Sequence, residues 1–173
     1  MRPRTIQLRP LRSDAERDRY HAIRAKEIFE LYHRADGPNP CRYEPDHPDE
    51  DDPANHPLVL VADGAVAGTI RIDLKPDGRA VLRLVAVAPE WRGTGLGAEL
   101  LLQAEAYAAR LGARSLSVNA QSASVGFYAR GGFIPGAWPG STRCLAAVPM
   151  NKPMGRLPLH RQAAPARRWA QAA

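Results

Sequence analysis

Polar and apolar residues alternate over residues 5–11 (TIQLRPL), which predicts a first strand ended by Pro10. Ser13 and Asp14 then offer a helix start, and Tyr20, Ile23, Ile28, Leu31 and Tyr32 recur at helical spacing until about Arg34. One amphipathic helix is expected there, whole or broken in two. Residues 35–57 lose all period and hold six prolines among acids, the signature of a long loop. Alternation returns at residues 58–62, 66–74 and 80–88, separated by Asp63-Gly64 and Asp77-Gly78 turns. These runs predict a three-strand antiparallel meander. A helix follows Gly97, with Leu100, Leu101, Ala104, Tyr107, Ala108 and Leu111 as its stripe and Gly112 as its stop. Residues 115–118 form a short strand, entered from a helix and hence parallel to an earlier one. Residues 122–130 form a short helix stopped by Gly131-Gly132, and a last strand starts at 133–134 and resumes at 142–148. A further short helix, docked by Trp169, is expected over residues 161–173. The order β-α-β-β-β-α-β-α-β predicts an α+β domain, layered α/β/α, with helices on both sides of a mixed sheet.

Composition narrows the class. The chain has 173 residues, 45% hydrophobic and 24% charged, which suits one globular domain over residues 1–150 followed by a basic tail at 151–173. No apolar run approaches the length of a membrane span, and the N-terminus lacks the apolar stretch of a signal peptide, so a cytoplasmic location is expected. Cys41 and Cys144 make no disulfide framework, and the five histidines show no metal-ligand spacing, so no metal is expected. The net charge of +6 invites a nucleic-acid reading. Its distribution weakens that reading: Lys152, Arg156, Arg161, Arg167 and Arg168 sit in the tail, while residues 41–56 are strongly acidic. This distribution argues against nucleic acid as a partner.

The densest chemical signal is the turn Arg92-Gly93-Thr94-Gly95-Leu96-Gly97, set between a strand and a helix. Alternate glycines strip away Cβ atoms, and the first amides of a helix lack internal acceptors, so together they suit a phosphate. Arg92 adds a countercharge. No Lys-Ser/Thr ends the run, so it is not a Walker loop, and no acid stands where a dinucleotide fold would need one. Glycines that merely allow close strand–helix packing remain the alternative on this ground.

The strand, Pro89, Arg92, Gly95 and Gly97, followed by an apolar helix, resemble the first signature of the GNAT superfamily of N-acetyltransferases. The second signature follows at the expected distance as Gln121-Ser-Ala-Ser124-Val-Gly-Phe127-Tyr128, then Gly132-Phe133. The resemblance covers residues 58–134 well. It implies a mixed central sheet with a splay between its two central parallel strands, where acetyl-CoA binds as co-substrate. By similarity, Val85, Ala86 and Val87 would line the pantetheine arm, with main-chain groups of Val85 and Val87 bonded to it. The amides of Arg92, Gly93, Thr94, Gly95, Leu96, Gly97 and Ala98 would hold the pyrophosphate. Tyr128 stands where a general acid serves the departing thiolate, though a core role beside Phe127 and Phe133 is the plain alternative. Gln121 replaces the Asn common at its position, which leaves its contact open.

The implied activity is transfer of an acetyl group to a primary amine through a tetrahedral intermediate. A non-catalytic acyl-CoA-binding or regulatory module is the alternative. The strand before the glycine turn offers no carboxylate as general base, which leaves Asp73 and His56 as candidates, with Glu27 of the first helix also possible. Arg83 on that strand would attract an anionic part of the acceptor, or simply face solvent. The acids of residues 46–52 would instead favour a cationic acceptor, or form a plain surface insertion. A homodimer is possible.

Overall fold

The computed structural model describes residues 4–30, 43–141 and 147–155. Cys41, Cys144, residues 35–42 of the proline-rich loop, the expected helix end at 31–34, the expected strand residues 142–146 and the expected helix at 161–173 lie outside them. Seven strands make one sheet in the order β1-β2-β3-β4-β5-β7-β6. They are β1 (Ile6–Pro10), β2 (Asn55–Ala62), β3 (Ala65–Leu74), β4 (Arg79–Val87), β5 (Ser115–Gln121), β6 (Ile134–Pro135) and β7 (Ala147–Pro153). The meander β2-β3-β4 is antiparallel, β4 and β5 are parallel, and β7 returns antiparallel to β5. The helices are α1 (Asp14–Arg24), α2 (Leu96–Arg110) and α3 (Val125–Arg130).

Several boundaries differ from the sequence reading. The first helix is α-helical only to Arg24 and continues as a π turn over Ala25–Glu30. β2 begins at Asn55 rather than Leu58, because Asn55 and His56 still find ladder partners in Asp73 and Ile72. β5 runs on to Gln121, held by β7 beyond the point where apolar alternation fades. β7 passes through residue 150, the expected domain edge, because Asn151–Pro153 pair with residues 115–117. The second short helix opens as a 3-10 turn, Ser122–Ser124.

Strand alternation gives the sheet two unlike faces. One carries Leu60, Ile70, Ile72, Leu82, Leu116 and Met150, which form the main core with Leu96, Leu100, Leu101 and Ala104 of α2 and with Tyr128 and Phe133. Gln103 of α2 ties down the edge strand, accepting from the Leu8 amide and donating to the Ile6 carbonyl. The other face is polar and bears Thr69, Arg71 and Asp73 on β3.

That polar face needs a partner, and the acidic segment supplies it. Arg71, 5% exposed, donates from Nε to Asp73 Oδ1 at 2.8 Å and from Nη1 to Glu50 Oε1 at 3.0 Å. Its Nη2 reaches Asp49 Oδ2 at 3.0 Å. Arg24 of α1, lying over the Tyr20 ring, donates to Glu50 Oε1 at 2.9 Å, and the Tyr20 hydroxyl donates to Oε2 at 2.8 Å. Burial pushes the Glu50 carboxyl up, but the charge and hydrogen bond of Arg24, helped by Tyr20 and Arg71, hold it below its ordinary value. Residues 49 and 50 are thus strapped to the sheet and α1. Arg71→Ala should strip the buried Asp73 of its hydrogen bonds, take a cation from Asp49 and Glu50, and destabilise the fold by about 3–5 kcal/mol. A thermal melt checks this, and an unchanged midpoint would mean the network carries no net stability.

Candidate active site

The β4–β5 ladder lasts for three residue pairs, ending at Val81 opposite Ser117. Beyond it β4 follows β3 and β5 follows β7, so the two parallel strands part. A bulge sharpens the divergence. Thr69 pairs with Ala86 and Arg71 with Arg83, so Leu84 and Val85 together face Ile70. Leu84 takes φ of 53°, a left-handed conformation that costs a leucine about 1–2 kcal/mol. The Thr69 hydroxyl donates to its carbonyl at 3.3 Å. Nothing in the residue types of VLRLVAV announces this bulge.

Two cavities flank the splay. One, of about 290 Å³, lies between residues 82–85 and residues 118–121, with Glu27, Ile28, Ser124 and Tyr128 completing its wall. The other, of about 400 Å³, is lined by Val85, Ala86, Val87, Trp91, Arg92, Gly93 and Gly97, among others. Both share Glu27, Val85, Gln121, Ser124 and Tyr128, which therefore mark the junction.

The glycine turn stands at the far end of the larger cavity. Gly93 and Gly95 have φ of 72° and 85°, and a Cβ at either would meet nothing within 4 Å. Glycine is needed there for backbone conformation, and the space above it is open. Gly97 has another reason: its Cβ would come to 3.1 Å from the Phe127 ring of α3. Close packing thus accounts for Gly97, while Gly93 and Gly95 border open space. Gly95 caps α2 without any side-chain hydrogen bond, so its first-turn amides have no side-chain acceptor. Thr94 closes the turn by donating to the Trp91 carbonyl at 2.7 Å. Leu96 buries its side chain in the core, and Ala98 faces a separate groove against α3, so each offers only its backbone amide to this turn.

Tyr128 is 6% exposed and packs edge-on against Phe127 and Phe133, with ring centroids 5.1 and 5.5 Å away. It belongs to the core and also lines both cavities. The two sequence readings of this residue are compatible, since the ring is fixed by the core at the edge of the cleft. Glu27, its side chain 4% exposed, reaches the junction from the π turn and pairs with Arg92. The widened turn after Arg24 carries it there, a device with no clear sequence signal. Trp91 also lines the larger cavity, and the short 3-10 turn Pro89–Trp91 that places it has no periodicity to mark it in the sequence.

The other base candidates lie elsewhere. Asp73 is held by Arg71 through both carboxylate oxygens, and neither cavity at the splay is lined by it. His56 stacks edge-on toward Tyr107 and lines a different cavity, of about 300 Å³, with His21, Asp46 and Asp51. Among the described residues no group of three or more His, Cys, Asp or Glu could hold a metal ion, and no helix is long and apolar enough to cross a membrane.

Comparison with known proteins agrees with this architecture. The Acetyltransferase (GNAT) family model matches residues 22–133, more than half the chain. An acyl-CoA N-acyltransferase from Pseudomonas aeruginosa superposes with a TM-score of 0.66 at 21% identity, covering 87% of this chain and 99% of its own. An acetyltransferase of the GNAT family from Staphylococcus aureus gives 0.67 at 12% identity, over 86% and 99%. The PaiA N-acetyltransferase of Thermoplasma acidophilum, solved in complex with coenzyme A, gives 0.64 at 19% identity, over 87% and 99%. With the family model spanning the meander, the glycine turn and the second signature, the chain belongs to the GNAT family of acetyltransferases.

Proposed function

We propose that the protein transfers the acetyl group of acetyl-CoA to a primary amine, with the larger cavity taking the cofactor and the smaller one the acceptor. The observation that carries this reading is the shared junction, where one acid and one phenol border both cavities. The residues fit the cofactor. Val85, Ala86 and Val87 line a strand edge with no β5 partner, and the turn from Arg92 to Ala98 offers an open, uncapped helix start for a pyrophosphate. Bound there, acetyl-CoA supplies an activated thioester carbonyl.

The chain's own groups handle protons and position. Glu27 accepts the proton that an acceptor ammonium must lose before its nitrogen lone pair can attack the carbonyl carbon. As the carbon–sulfur bond breaks, the Tyr128 hydroxyl gives its proton to the departing sulfur. Holding amine and thioester on two sides of one junction supplies the proximity that a bimolecular reaction in water lacks. Placing Glu27 in the role for which β4 offers no carboxylate supports catalysis over a non-catalytic binding module.

Calorimetry with CoA and acetyl-CoA, and thiol release across a panel of amines, test the reading. Glu27→Gln should lower kcat by about 10²-fold while acetyl-CoA affinity is kept. Tight cofactor binding without turnover on any amine would favour the binding module instead. Unchanged kcat in Glu27→Gln would remove this residue as the base.

A further inference from the structure

The polar face of the sheet carries four cations in one connected cluster: Arg24, Arg71, Lys75 and Arg83. Asp49, Glu50 and Asp73 are the three carboxylates among them, which leaves one positive charge over. Hydrogen bonding narrows its location to Lys75 or Arg83, and of the two only Arg83 lines a cavity at the splay. Arg24 and Arg71 each donate to carboxylates at 2.8–3.2 Å. Arg83 is different. Its Nε lies 3.5 Å from Asp73 Oδ2, already bonded by Arg71, and, like Nε and Nη2 of Arg24, is buried without a hydrogen-bond partner. Among the described residues its guanidinium donates no hydrogen bond at all, although the side chain is 37% exposed.

Arg83 also lines the smaller cavity and not the larger one. The charged residues of the smaller cavity are Glu27, at the junction, and Arg83, away from it. The acids that a cationic acceptor would seek do not line the smaller cavity apart from Glu27. Asp49 and Glu50 are bound to Arg71 and Arg24, and Asp46 and Asp51 border the separate cavity beside His56.

We propose that the acceptor is an amine carrying a carboxylate, whose anionic end is received by Arg83 while its amine reaches the Glu27–Tyr128 junction. The inference rests on the smaller cavity being the acceptor side, as in the function proposed above. A guanidinium presents paired donors that match the two oxygens of a carboxylate. The nearby Trp138 ring, 6.0 Å from the Arg83 carbon Cζ, limits the side chain's freedom and lowers the entropy lost on binding. A neutral or polycationic amine would leave this cation facing an empty or repulsive partner.

The test uses matched acceptors: glycine, β-alanine and 4-aminobutanoate against their carboxamides, with the full chain and saturating acetyl-CoA. The best carboxylate should exceed its amide in kcat/KM by at least about tenfold. Arg83→Gln should bring that ratio to near one with acetyl-CoA affinity and melting temperature unchanged, and Arg83→Lys should keep part of it. Equal use of amides by the wild type, or a preference that survives Arg83→Gln, would overturn the proposal while leaving the acetyltransferase reading intact. If no amine turns over, the same pairs are titrated into the CoA complex and the Arg83 Nε–H resonance is followed. A saturable shift with carboxylates alone upholds the anion site even then, and no shift with either set removes it.

Discussion

Tyr128→Phe should lower kcat by about 10²–10³-fold, the range expected when a positioned general acid is removed. The affinity for acetyl-CoA should stay within about twofold, because a proton donor to the leaving sulfur acts on the reaction and not on ground-state binding. The fold should hold as well. The ring is clamped between Phe127 and Phe133 in the main core, and phenylalanine keeps every one of those ring contacts. Loss of one hydroxyl would shift stability by about 1 kcal/mol. Steady-state thiol release with a thermal melt on the same samples gives both answers. A variant with wild-type kcat would leave the ring with a packing role only.

The second large effect separates charge from conformation at the glycine turn. Gly95 sits at φ of 85°, where Asn and Asp are the side chains best tolerated, and nothing within 4 Å opposes a Cβ. Gly95→Asn and Gly95→Asp are nearly the same size, so their difference isolates one negative charge. An aspartate at this helix start also favours the fold, as a cap for α2 and a partner for its positive end. Against a pyrophosphate the same charge is repulsive. Gly95→Asp should weaken CoA binding about 30-fold beyond Gly95→Asn, which corresponds to about 2 kcal/mol for like charges a few ångströms apart in a partly screened site. Its melting temperature should equal or exceed that of Gly95→Asn. Calorimetry at low and high salt reads the effect, which should shrink as salt rises. Equal affinities in the two variants would place the phosphates elsewhere.

The arginines of the polar face explain why one part of the site was hard to read. Arg71 and Arg83 look alike in the sequence, each alternating with apolar neighbours on a strand. Their register puts them side by side, yet Arg71 is bound by three carboxylates while Arg83 is left at the cavity. Two of those carboxylates come from the acidic segment, which read as a surface insertion or a lure for cationic acceptors. Its charge depends on where a long loop lands, and no local propensity encodes that. Asp73 and His56 were reasonable base candidates by residue type alone. The fold turns one into a structural partner and sends the other to a different cavity.

Local features were legible wherever a short-range rule governs the chain. Period-two alternation and Asp-Gly turns gave the meander, the apolar stripe gave α2, and glycines at fixed spacing gave the turn that begins it. Each depends on the backbone preferences of neighbouring residues, and so survives without knowledge of the rest. The splay, the left-handed Leu84 and the arrival of Glu27 at the junction needed the assembled molecule. They arise because β5 continues along β7 after leaving β4, and because α1 widens into a π turn above the same edge. Pairing between distant segments and the destination of each buried charge are settled by competition among long-range contacts, which a linear pattern does not record.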